Sequence, residues 1–260
     1  MATTDSTLET WYKFLLAQMS AESYLDQRDI GVALQTILRN GNNNGIVQAE
    51  GDFTGATRMT TTQVEQFNAE WEILDHHAND GTGFSATLLR SRTTGELTLS
   101  FRSTEYQSEN KGGDWSRDGF AGADGQIFFT GFAVAQLTAM EEYWSQLQQN
   151  PLLVPAGAKI NVTGYSLGAH LATVFTELHA EQIDHTYTFN AAGRGTVTSG
   201  AEGTQQQRIA AMLARFKEAM LHVSSIDGGP AARSPRSVGK PRRYNLQNPT
   251  QVNLLYAAAA

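Results

Sequence analysis

The stretch KINVTGYSLGAHLATVF, residues 159–175, decides how this chain is read. A strand-like run ends in Gly164-Tyr165-Ser166-Leu167-Gly168, and a helix-like run follows at once. A serine with glycines at i−2 and i+2, set between a strand and a helix, has a mechanical meaning. The serine sits on a sharp, strained turn that lifts its hydroxyl above the sheet edge. The flanking glycines let neighbouring backbone approach without a Cβ clash. The helix start offers unpaired N–H groups beside a reacting carbonyl. The pattern therefore nominates Ser166 as a nucleophile.

Working outward, the second half of the chain alternates. A helix is expected from Gly131 to about Asn150, a strand over KINVTGY, a helix over 167–180 and a strand at HTYTFN (185–190). A helix over TQQQRIAAMLARFKEAM (204–220) and a strand at LHVSSI (221–226) complete the run. Such alternation implies a parallel sheet with helices packed on it. Upstream, FSATLLRSR (84–92) and ELTLSFRST (96–104) read as strands joined by a hairpin turn at TTG.

The first 80 residues read as helical. Leu8, Trp11, Tyr12, Leu15, Leu16 and Met19 recur at helical spacing, with Asp5 or Ser6 as N-cap. Ile30, Ala33, Leu34, Ile37 and Leu38 mark a second helix, stopped by NGNNNG (40–45). Val64, Phe67, Trp71 and Leu74 mark a third, capped by Thr62 with Glu65 in a capping box and ending near His76-His77.

Three segments in order carry a resemblance. LTLSFRSTE, INVTGYSLGAHLA and HTYTFNAAGRG resemble the Phe-Arg-Gly-Thr/Ser strand end, the Gly-His-Ser-Leu-Gly-Gly-Ala elbow and the Thr-Phe-Gly-Ala-Pro strand of class 3 (fungal-type) lipases and related bacterial lipase domains. The resemblance spans roughly residues 80–230. Ser103 stands where that pattern usually has Gly, Tyr165 where it often has His, and Ala169 where it often has Gly. Asn190-Ala191-Ala192 lacks the usual proline. The resemblance implies an α/β-hydrolase fold: a mostly parallel central sheet with helices on both faces, preceded here by a helical N-terminal segment. Residues 1–260 form one domain on this reading.

The same resemblance implies the site. Ser166 attacks an ester carbonyl. The N–H of Leu167 and the backbone N–H of Thr104, with its hydroxyl as a further donor, hold the oxyanion. Asp227, after LHVSSI, stands where the triad acid belongs, although an Asp-Gly turn explains it equally well. The histidines are His76, His77, His170, His179, His185 and His222, and none follows Asp227. The chain order Ser, acid, His therefore leads to the expectation of a base beyond the last residue. The bland readings are core packing for His170 and dipole complementation at helix ends for His76, His77 and His179.

Residues 105–131 combine Gly, Asp, Ser and aromatics, and are expected to form a mobile lid over an apolar site. Asp114, Asp118 and Asp124 in it lack the spacing of a calcium loop. No metal or cofactor is expected.

Composition narrows the partners. The chain has 260 residues, 40% hydrophobic, with net charge −7 and no cysteine. Disulfides and thiolate metal sites are excluded, and nothing provides a grip on nucleic acid. The expected partners are an ester or lipid substrate and, transiently, a lipid interface. The first 30 residues show no charged n-region followed by an apolar run. The bacterial likeness favours a secreted protein over a cytoplasmic one. Alternatives stay open: a phospholipase, thioesterase or polyester hydrolase, or an inactive hydrolase fold used for binding.

Overall fold

Strand pairing organises the chain from residue 71 onward. The computed structural model describes residues 5–23, 25, 33–41, 58–104, 123 and 133–193. Three strands come first: β1 (Trp71–His77), β2 (Ala86–Ser91) and β3 (Leu97–Phe101), paired antiparallel in sequence order. Helices α1 (Asp5–Ala21), α2 (Leu34–Asn40) and α3 (Thr61–Glu70) precede them. Then α4 (Val134–Gln148), β4 (Ile160–Tyr165), α5 (Leu167–Leu178), a short 3-10 turn (Ala180–Gln182) and β5 (Ile183–Phe189) follow. β4 pairs parallel with β3, and β5 parallel with β4, giving the order β1-β2-β3-β4-β5.

Two antiparallel steps make β1 run with β3, β4 and β5. Among the described strands β2 alone is reversed, so the sheet is mostly parallel in direction, as expected.

Side chains alternate across a strand, and the two faces bury different cores. Leu88, Leu99, Phe101, Ile160 and Val162 meet Met140 and Trp144 of α4 and Leu171 and Phe175 of α5. On the opposite face Leu89, Trp71 and Phe189 meet Trp11 and Phe14 of α1 and Phe67 of α3. Helices thus cover both faces, and the N-terminal segment is helical. The fold is α/β, a mostly parallel sheet covered by helices on both faces.

The third helix departs from expectation at both ends. It is capped by Thr60, whose side chain accepts from Gln63 N–H while the Gln63 side chain accepts from Thr60 N–H. The box is two residues earlier than Thr62 and Glu65. The helix stops at Glu70, and Trp71, Leu74, His76 and His77 belong to β1. A register shift between Ile73 and Asp75 in the β1–β2 pairing breaks the alternation there. Trp71 and Leu74 match helical spacing, yet as strand residues three apart they enter opposite cores. In α2, Ala33 is the cap and not a helical residue. Ile30, the helix expected over 204–220 and the strand at 221–226 lie outside the described residues.

Candidate active site

Ser166 joins β4 to α5 with φ 50° and ψ −112°. A positive φ costs a non-glycine residue energy, and such strain persists only where the surroundings hold it. Those surroundings are backbone. Ser166 N–H donates to Phe189 O at 3.0 Å, and the Ser166 carbonyl accepts from Ala192 N–H and His170 N–H, each at 3.1 Å. The elbow is therefore tied both to the end of β5 and to its own helix.

The two glycines are required by contact. A Cβ on Gly164 would lie 2.3 Å from Gly168 O. A Cβ on Gly168 would lie 2.4 Å from Phe101 O and 2.8 Å from Arg102 O. The first turn of α5 thus rests directly on the backbone leaving β3. This contact brings the segment Arg102-Ser103-Thr104 to the elbow. Thr104 and Leu167 are both buried, and Ser166 is half-buried.

A carboxyl group that sequence reasoning did not bring to the site holds the β3 exit. Glu22, just beyond α1, is fully buried. Ser103 N–H donates to Glu22 Oε1 at 2.9 Å, the Ser103 hydroxyl donates to Oε2 at 2.5 Å, and Gln18 Nε2 donates to Oε1 at 2.5 Å. Burial pushes the Glu22 carboxyl up to about 7, with the Ser103 donors, the Arg102 charge and Gln18 pulling it down. One signal for Glu22 was present in the sequence: the hydroxyl at Ser103, where the resembled pattern has glycine, must find a partner when buried.

Five histidines are described, and each is placed elsewhere. His170 Nδ1 lies 2.6 Å from the Gly193 carbonyl, and its Nε2 accepts from Ala133 N–H at 3.3 Å. A carbonyl only accepts and an amide only donates, so Nδ1 carries the proton and the Nε2 lone pair is engaged. The fully buried ring is a strut between the β5 exit and the start of α4. His179 Nε2 contacts Glu141 Oε1 at 2.7 Å at the far end of α5. His185, beside Asp184 at 3.2 Å, lies in the first half of β5, away from the edge that carries Ser166. His76 and His77 are on β1, not at a helix end, so dipole complementation does not apply to them. His77 is level with Ala86, Phe101 and Gly164 across the sheet. Three strand spacings of ~4.8 Å place it ~14 Å from the elbow, where it contacts Asp80 at 3.1 Å.

Asp227 and His222 lie outside the described residues, as do Asp114, Asp118, Asp124 and, Ala123 apart, the segment expected to form a lid.

No protein-family model matches the chain, and no curated protein sequence does. Among solved structures it is similar to a lipase from Rhizopus microsporus var. chinensis, with TM-score 0.38 and 16% identity over 74% of this chain and 60% of that one. Lip2 lipase from Yarrowia lipolytica gives TM-score 0.38 and 12% identity over 72% and 59% of the two chains. Lipase II from Rhizopus niveus gives 0.36 and 16% over 73% and 64%. The chain spans about 60% of the length of these lipases. Likenesses this distant assign no role to any residue.

Proposed function

We propose that this chain is a serine-dependent carboxylic ester hydrolase of lipase type, acting through an acyl-enzyme on esters with an apolar acyl chain. The observation that carries the reading is the strained Ser166 elbow, held at the carboxyl edge of the sheet by backbone contacts that tolerate only glycine at 164 and 168. Ser166 Oγ attacks the carbonyl carbon, and the charge that develops on oxygen is met by the N–H groups of Leu167 and Thr104. The serine proton passes to a histidine and then to the departing alcohol. That histidine is none of the five described, because His170 is engaged at both nitrogens and the others lie elsewhere. Asp227 keeps the role of the acid that orients it. The substrate is reached at a lipid interface or from solution.

A second reading has its own support. The placement of those five histidines suits a hydrolase fold that binds without turnover. A fluorophosphonate probe separates the two, since it reacts with an activated serine. With the histidine that serves Ser166 present, the protein should be labelled at Ser166 and should hydrolyse a p-nitrophenyl ester. Folded Ser166→Ala should lose labelling, with kcat reduced by up to ~10⁶. Comparable turnover by that variant would overturn the nucleophile assignment. An intact chain that resists labelling would favour the binding reading.

A further inference from the structure

Glu22 sits where a carboxylate is costly. It is removed from water, which penalises the charged form. It follows the last residue of α1, and the C-terminal end of a helix dipole disfavours negative charge. The Arg102 side chain, also buried, is the charged group among the described residues that acts on it. Its neutral partners are Gln18, one turn back on α1, and Ser103.

Two of its hydrogen bonds go to Ser103, and one of them takes the backbone N–H. With its N–H and its hydroxyl both pinned, Ser103 has little freedom at φ or χ1. The next peptide plane carries the N–H of Thr104. On the other side of the same segment, the Gly168 backbone lies against Phe101 O and Arg102 O so closely that a methyl group has no room. The β3 exit is therefore clamped between the nucleophile helix and Glu22.

We propose that Glu22 is a positioning residue of the oxyanion hole: by holding Ser103 through backbone and side chain, it aims the Thr104 N–H at the carbonyl attacked by Ser166. The inference rests on the acyl-transfer reading above. Glu22 touches no reacting atom; it acts through Ser103. A misaimed donor stabilises the tetrahedral intermediate less while leaving ester binding alone. Its loss therefore lowers kcat and spares KM.

The test uses the full chain, with functional sites counted by fluorophosphonate titration so that kcat is expressed per competent serine. Glu22→Ala should lower kcat by roughly tenfold or more, short of the ~10²–10³ for loss of a donor outright, with KM within about twofold. A boronic acid, which forms a tetrahedral adduct on the serine, should bind more weakly by a similar factor. Glu22→Gln keeps an acceptor for Ser103 N–H and should restore most of the kcat. A purely structural role would lower the count of competent sites and leave kcat per site and boronate affinity unchanged; that result overturns the proposal. Should Glu22→Ala fail to fold, Ser103→Ala removes only the hydroxyl bond and should lower kcat severalfold at constant KM. An unchanged kcat there also overturns it. An intact chain without labelling at Ser166 defeats the acyl-transfer reading and this inference with it, a result distinct from a labelled chain indifferent to Glu22.

Discussion

At the scale of single residues, Gly164 and Gly168 set the elbow as firmly as Ser166 does. The β4–α5 turn closes only because two backbone segments pass where a side chain would otherwise stand. Gly168→Ala would put a methyl carbon 2.4 Å from Phe101 O, and neither backbone can rotate away. The variant should be destabilised by about 1–3 kcal/mol or more, and it should push the β3 exit from the elbow, lowering ester turnover. Gly81→Ala is the control: nothing lies within 4 Å of the added carbon, and its stability should change by less than about 1 kcal/mol in either direction. Urea unfolding of the two variants checks both statements, and equal midpoints would refute the contact argument. The glycines and Ser166 were legible because a close approach leaves a pattern in a short window. Glu22 was not, because its partner Ser103 is 81 positions away. His170 was readable as buried, but not as a strut between Ala133 and Gly193.

At the scale of elements, the α3–β1 junction shows where periodicity misleads. Val64, Phe67, Trp71 and Leu74 satisfy helical spacing, yet the helix ends at Glu70. Trp71 is buried with the α1 and α3 core, while Leu74 packs against the opposite core. Residues three apart on a strand face opposite sides by ordinary alternation; the bulge between Ile73 and Asp75 instead puts Asp75 on the same side as Leu74, where it accepts from Tyr143 OH on α4 at 2.8 Å. Pairing with β2 outweighs local spacing, and pairing is a non-local fact that no window of sequence contains. The capping error is of a similar kind. Both Thr60-x-x-Gln63 and Thr62-x-x-Glu65 satisfy the box, and the first is the one formed. Thr60→Ala should therefore cost about 1 kcal/mol, whereas Thr62→Ala, on the exposed first turn, should stay within about 0.5 kcal/mol. Reversed magnitudes in urea unfolding would show the cap to be at Thr62.

At the scale of the whole molecule, α1 is built into the sheet's packing and is not an appendage. The resemblance in sequence begins near residue 80, yet α1 covers the face of β3 and β4 opposite α5 and delivers Glu22 to the β3 exit. This placement has a consequence for stability against pH. The folded-state pKa of Glu22 is about 7 against an ordinary 4.5, so the folded chain holds this proton more tightly than the unfolded chain. Its contribution is present in full below about pH 4.5 and is lost as pH rises through 7. A shift of this size corresponds to a loss of about 3 kcal/mol at most. Glu70 and Asp80, whose pKa values are lowered, work in the opposite sense: their contributions are present above the ordinary carboxylate range and are lost as pH falls. The total profile mixes these terms, and the difference between wild type and Glu22→Gln isolates the first. Near pH 4.5 the two proteins should unfold at similar urea concentrations, since both then carry a neutral group at position 22. By pH 8 the glutamine variant should be the more stable by up to about 3 kcal/mol. A gap that does not widen between these pH values would mean that Glu22 is not the buried, proton-holding group described above.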